Sequence, residues 1–180
     1  MSQNIVILSG SPRVGANTDM LVDAFRQGAE EAGHRVTLFR VADMNIAGCV
    51  GCNGCAPDRG LGCVVRDDMQ QVYDAMRPAD TLVLASPVYF FSYSAQLKCA
   101  IDRFYAMTWD KAAITQAALL LTCGDPSCGA ARGTIMSFEQ MLNYRKWENA
   151  GVITAGAMRS PQAIAGLPVL ENARRLGRGI

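Results

Sequence analysis

Apolar and polar positions fall into blocks along this chain. Residues 4–9 hold the run Ile5, Val6, Ile7, Leu8, the pattern of a strand buried on both faces. The run breaks into Gly10-Ser11-Pro12-Arg13-Val14-Gly15-Ala16-Asn17-Thr18. Leu21, Val22, Phe25 and Ala29 then recur on one helical face. Gly33 stops this helix, and residues 36–41 predict a second strand. Residues 42–66 form a loop long enough to need a reason. Asp67, with Gln70 three residues on, reads as the N-cap of a second helix, which Pro78 ends after about Arg77. Residues 81–86 predict a third strand, and residues 87–94 form a loop dense in aromatics. Leu97, Ala100, Ile101 and Phe104 mark a third helix, and residues 117–122 a fourth strand. A loop rich in Gly and Cys runs to about Gly133, and a fourth helix to about Asn149. Residues 151–155 give a weak fifth strand and residues 168–176 a short last helix. No repeat, low-complexity segment or linker interrupts the order.

Five strands alternating with helices predict an α/β fold, a five-stranded parallel sheet covered by helices on both faces. The 180 residues fit one domain, 1–180. With strand order 2-1-3-4-5, the order reverses at strands one and three, and a crevice opens between the loops that follow them. Open sheets bind ligands in that crevice.

Composition narrows the partners. Half the residues are hydrophobic, 18% are charged, and the net charge is +1. No basic stripe supports nucleic-acid binding, and no apolar stretch reaches membrane-spanning length. Met1, Ser2 and Gln3 lead straight into the first strand, so no signal peptide is expected and the cytoplasm is the expected address. Seven Cys, four in one loop, favour metal or redox chemistry over a disulfide framework in a reducing compartment.

The first loop opens a helix with small residues, hydroxyls and one Arg. Amides at a helix start, with the helix dipole behind them, suit a phosphate. Ser11, Asn17 and Thr18 add side-chain donors, and Arg13 adds charge. Gly10 and Gly15 have P-loop spacing, but Ala16 and Asn17 stand where Lys and Ser/Thr are required. No G-x-G-x-x-G follows the first strand. No Cys precedes Cys49, so a phosphatase nucleophile is missing from this loop, and no Asp ends strand three for a phospho-acceptor. A mononucleotide with a large flat ring remains, which points to FMN. The aromatic loop agrees: Pro87, Val88, Tyr89, Phe90, Phe91 and Tyr93 offer flat apolar walls. These aromatics read equally as a core cap or an oligomer contact when taken alone.

Gly10-Ser11-Pro12-Arg13 with Gly15, Asn17 and Thr18 resembles the phosphate loop of the NADPH-dependent FMN reductase family. Ser86-Pro87-Val88-Tyr89, then Leu97-Lys98 and Asp102-Arg103, resembles that family's second motif. The resemblance implies a flavodoxin-like three-layer sandwich. It implies FMN phosphate on Ser9, Ser11, Arg13, Asn17 and Thr18, and ring contacts from Pro87, Val88, Tyr89 and Phe90. It also implies a third contact loop at Thr122, Cys123 and Gly124, the least well matched of the three.

Cys49, Cys52, Cys55 and Cys63 form C-x2-C-x2-C-x7-C, with Pro57, Gly60 and Gly62 placed to turn the loop back. This spacing is similar to the cysteine motif of the iron–sulfur flavoproteins, which implies a [4Fe–4S] cluster on these four residues. Four thiolates equally suit a tetrahedral zinc ion, and an empty loop of reduced or cross-linking thiols is a third reading. Cys99 reads as core. Cys123 and Cys128 read first as small packing residues, with redox activity as the sharper alternative. His34, the only His, falls far from the crevice. Lys98, Asp102 and Arg103 read as helix-surface or interface ion pairs, and Met76, Met107, Met136 and Met141 as core or interface filler.

With no His and no carboxylate pair in the crevice, the cofactor carries the chemistry. The expected activity is FMN-dependent NAD(P)H oxidation, with electrons passing to a flavin, a quinone or another acceptor. The alternative is an electron carrier with FMN and a cluster, fed by a ferredoxin-like partner. A redox or metal sensor built on the Cys loop is a third class. The exposed aromatic and Cys loops predict a homodimer or homotetramer.

Overall fold

The computed structural model describes residues 2–56, 58, 62–108 and 112–180; Pro57 and Gly60 of the cysteine loop lie outside them. β1 (Asn4–Ser9), β2 (Arg35–Arg40), β3 (Thr81–Pro87), β4 (Gln116–Thr122) and β5 (Glu148–Ala155) form one sheet in the order β2-β1-β3-β4-β5. Every pairing is parallel. This is the flavodoxin-like order that the family resemblance implied.

The apolar runs explain the layers. Val6, Leu8, Leu82, Leu84, Leu119 and Leu121 point to one face, with α2 (Met69–Met76), α3 (Ala95–Asp102) and α4 (Arg132–Arg145). Ile5, Ile7, Val83, Ala85, Ala118 and Leu120 point to the other, with α1 (Asn17–Glu31) and α5 (Pro168–Arg178). Successive strand residues face opposite sides, so a strand buried on both must be apolar throughout. α1 and α5 cross closely: a Cβ on Gly28 would fall 1.9 Å from the Arg174 carbonyl oxygen, and one on Gly177 2.1 Å from that of Phe25. Glu31 of α1 pairs with Arg174 and Arg178 of α5 at the rim of this contact.

Three expectations are corrected. The fourth helix stops at Arg145 because Lys146 turns left-handed, φ 59°. Glu148 and Asn149 already belong to β5, paired with Gln116 and Ala117. Arg103 is not a surface ion-pair residue: its side chain is 1% exposed and binds Asp67 at 2.8 Å. Lys98 and Asp102 do pair on the surface. Met76 and Met107 are buried as core filler, and Met136 is exposed. Asp67 also sits one residue outside the N-cap position, which Asp68 holds, although its carboxylate still accepts from the Met69 amide at 3.1 Å.

Candidate flavin site

The site lies at the carboxyl ends of β1, β3 and β4. One cavity there is lined by Ser11, Arg13, Asn17 and Thr18 from the first loop. Pro87, Val88 and Tyr89 come from the second loop, and Thr122, Cys123 and Gly124 from the third. The fold thus brings together ten of the residues singled out in the sequence. Ala16 and Met158 complete the lining. Sequence reasoning missed both, because an Ala and a Met carry no chemical signal of their own.

The first loop is held from below and from behind. The Gly10 amide donates to the Ala85 carbonyl at 2.9 Å, continuing the β1–β3 ladder past the strand end. The Gly10 carbonyl accepts from the Ser94 hydroxyl at 2.7 Å, and Ser94 caps α3 through the Leu97 amide. A Cβ on Gly10 would stand 2.4 Å from Ser94 Oγ and 2.5 Å from Leu97 Cβ, so only glycine lets the two loops touch. Behind the loop, Asp19 accepts from the Gly15 amide at 2.8 Å and binds Arg40, whose guanidinium also reaches the Ser11 carbonyl at 3.3 Å. Burial works against the charge on Arg40, but bonds to Asp43 and Asp19 outweigh it and raise the group above its ordinary range. Asp19, in the first helical turn, was the available signal for this brace; Arg40 had none.

The mouth of the loop is open to an anion. Ala16 occupies the N-cap of α1 and no side chain caps the helix. Ala is a poor N-cap, and the first-turn amides are left facing the cavity rim. Arg13 is exposed beside them. Thr18 and Thr122 join hydroxyls at 2.8 Å, tying the first loop to the third. Asn17 plays a double part. Its amide group donates to the Ser160 carbonyl at 2.8 Å and its oxygen accepts from the Ile164 amide at 3.0 Å. Only its remaining amide hydrogen and its backbone N–H are left for a ligand.

Two predicted contacts stand apart from this cavity. Ser9 lines a neighbouring hollow behind the loop with Asp19 and Arg40. Its buried hydroxyl has no hydrogen-bond partner among the described residues. Phe90 is 95% exposed. Tyr89 and Ser92 exchange both backbone bonds, at 2.9 and 3.1 Å, leaving Phe90 and Phe91 as a two-residue hairpin tip. Both tip residues have positive φ, 46° and 69°. Asn and Gly normally fill such positions, and two aromatics there store strain of the kind that clusters at ligand clamps.

The cysteine loop runs between β2 and α2. Cys49 and Cys52 are exposed, Cys55 and Cys63 half-buried. Burial pushes the Cys55 thiol up, and the nearby sulfurs of Cys63, Cys49 and Cys52 push it further. The four thiols thus feel one another's charge, yet no group of three or more metal-ligating side chains closes around a common point among the described residues. The donor set suits a thiophilic centre; its closure does not follow from the fold alone.

The neck of that loop is locked by Arg103. Its guanidinium donates to the Ala47 carbonyl at 2.9 Å, to the Val65 carbonyl at 3.2 Å and to both Asp67 oxygens. Asp67 accepts in turn from the Ala47 amide at 3.0 Å. Both ends of the loop thus meet at one buried ion pair. Burial alone would raise the Asp67 carboxyl, but bonds from Arg103, Ala47 and Met69 hold it below the usual carboxylate range.

Residues 3–159 match the NADPH-dependent FMN reductase family. The chain belongs to that family. An iron–sulfur flavoprotein from Methanosarcina thermophila is 32% identical over 150 residues, 83% of this chain and 75% of that protein. A second iron–sulfur flavoprotein, from Methanocaldococcus jannaschii, is 37% identical over 99 residues, 55% of this chain and 50% of that protein. The fold is similar to the NAD(P)H:quinone oxidoreductase from Methanothermobacter marburgensis. Its TM-score is 0.77 at 20% identity, covering 99% of this chain and 96% of that one.

Proposed function

We propose that this family member is an FMN-dependent NAD(P)H oxidoreductase that passes electrons to a quinone, a flavin or a similar acceptor. The observation that carries the reading is the single cavity formed by three loops, with an uncapped helix N-terminus at one side and the Pro87–Tyr89 wall at the other. FMN bound there would accept a hydride from a nicotinamide and hand electrons on. The chain's own residues bind and orient. The first-turn amides of α1, Arg13, Ser11 and Thr18 take the phosphate. Pro87, Val88 and Tyr89 shield the ring from water, and the backbone at Thr122, Cys123 and Gly124 borders its edge. No side chain with acid or base chemistry lines the cavity apart from Arg13, Tyr89 and Cys123, so proton transfer is left to cofactor and solvent.

A second reading rests on the C-x2-C-x2-C-x7-C spacing and on the two relatives named as iron–sulfur flavoproteins. In it, Cys49, Cys52, Cys55 and Cys63 hold a [4Fe–4S] cluster and a ferredoxin-like partner supplies electrons. We assign the chain to a reducing, cytoplasmic setting that keeps these thiols free, and to a homodimer or homotetramer built through the exposed Phe90–Phe91 tip. No helix among the described residues is long and apolar enough to cross a membrane.

The deciding experiment is anaerobic purification with FMN, followed by an absorption spectrum and iron, sulfide and zinc analysis. A yellow protein bleached by NADPH supports the first reading. A brown protein with about four irons per chain that NADPH does not bleach supports the second. A colourless protein that never takes up FMN refutes both.

A further inference from the structure

The loop after β4 holds a pair of thiols that neither flavin binding nor the cysteine loop uses. Cys123 is 4% exposed and forms part of the cavity wall. Cys128, five residues on, is half-buried. The two thiols are close enough for a charge on Cys128 to raise the Cys123 thiol. The turn between them sets both residues around the Asp125 carbonyl. Cys123 Sγ lies 3.4 Å from the Asp125 carbonyl oxygen, and the Cys128 amide donates to that oxygen at 3.2 Å. A Cβ on Gly156 would stand 2.9 Å from Cys128 Sγ and 2.8 Å from the same carbonyl, so the bare glycine makes room for the sulfur. The Asp125 carboxylate fixes the turn through the amides of Ser127 and Ala130, at 2.9 and 3.0 Å. Cys128 itself is held left-handed, φ 57°, an uncommon conformation for a non-glycine residue.

We infer that Cys123 and Cys128 are a peroxide-sensitive dithiol whose closure to a disulfide loosens the third wall of the flavin cavity. The chemistry runs in two steps. The more exposed Cys128 attacks a hydroperoxide, the O–O bond breaks, and Cys128 becomes a sulfenic acid as an alcohol or water leaves. The Cys123 thiol then displaces hydroxide from that sulfur, giving the S–S bond and one water. A small dithiol reverses the closure by exchange. Burial pushes the Cys123 thiol up to about 11, which suits it to the second, resolving step and not to the first. Two thiols that share the Asp125 carbonyl as a neighbour must bring their sulfurs to about 2.05 Å to bond, so closure tightens the turn and moves the Cys123 and Gly124 backbone that borders the cavity.

The effect on the cofactor rests on the FMN reading above; the disulfide does not. Trypsin leaves both residues in one peptide, 112–132, which contains no other Cys, so the bond is read directly as the loss of two hydrogens. Protein is treated with one equivalent of hydrogen peroxide, with and without FMN, then alkylated and digested. The peptide is expected in the disulfide form and to return to two alkylated thiols after dithiothreitol. Cys123→Ser and Cys128→Ser each abolish it. Flavin fluorescence titration is expected to show FMN affinity about tenfold lower for the oxidised protein, with Cys128→Ser insensitive to peroxide. Two free thiols in this peptide, under peroxide that oxidises Cys49–Cys63, overturn the dithiol. A disulfide with unchanged FMN affinity overturns the coupling to the cavity. Failure of the reduced protein to bind FMN at all refutes the functional reading and the coupling, while the peptide mass still decides the disulfide.

Discussion

At the scale of single residues, Gly10 and Arg13 serve the first loop in different ways. Gly10 acts through space alone, because Ser94 and Leu97 occupy the volume a methyl group would need. Gly10→Ala is expected to lower stability by about 1–3 kcal/mol, the cost of overpacking, and to detach the phosphate loop from α3. Urea unfolding with and without FMN measures both effects. Arg13 acts through charge on an exposed arm. Arg13→Ala should leave stability within about 0.5 kcal/mol and weaken FMN binding about tenfold, the loss of one charge-assisted bond to phosphate. Equal FMN affinity in the two proteins would place the phosphate elsewhere. Gly10 was legible as a loop glycine, but not the reason for it. Ser94 lies 84 residues away, and no local pattern announces that contact.

Among the elements, the decisive feature is how α3 and its 3-10 extension, Arg103–Met107, reach the cysteine loop. Arg103 was visible as part of a family-like Asp-Arg pair, and the sequence placed it on the surface. It lies inside because Ala47 and Val65, near the two ends of the loop, offer carbonyls and Asp67, just after it, offers a carboxylate. A helix-periodic pattern cannot foresee that, since the partners come from a segment without regular structure. Asp67→Asn leaves this guanidinium buried and poorly balanced, and is expected to cost about 3–5 kcal/mol. The pH dependence has a definite sign. The folded-state pKa of Asp67 lies below its unfolded value of about 3.9, so the pair contributes fully above that value. Its contribution is lost as pH falls through the lower, folded pKa. The wild-type protein should therefore lose stability on acidification more steeply than the Asp67→Asn, Arg103→Met double variant. Parallel acid-unfolding curves would remove the pair from the account. Iron uptake by the same variants would report whether the locked neck presets the four thiols.

For the whole molecule, the site belongs to the sheet rather than to any one loop. Three strand ends, from β1, β3 and β4, place three loops around one cavity, and the Thr18–Thr122 hydroxyl bond joins the outer two. A ligand that bridges them stabilises the folded state by mass action. FMN at about one hundred times its dissociation constant adds about 2.7 kcal/mol. That is a rise in melting temperature of roughly 5–10 °C at about 2–4 °C per kcal/mol for this size. Scanning fluorimetry with FMN against riboflavin tests where the energy comes from: riboflavin, without phosphate, should give less than half the shift.

The sequence by itself determined the alternation of strands and helices and the parallel sheet; the strand order came with the family resemblance. The alternation and the sheet follow from short-range physics: continuous apolar runs, helical periodicity, Gly and Pro stops, and the right-handed crossover that parallel strands demand. It also determined which loops carry donors and which carry aromatics. Only the tertiary structure decided which of those side chains share a cavity, that Asn17 spends most of its amide on Ser160 and Ile164, and that Phe90 stands on a strained tip away from the lining. Only tertiary structure buried Arg103 on Asp67. These outcomes depend on where distant backbone comes to rest, and packing, not local preference, sets that position.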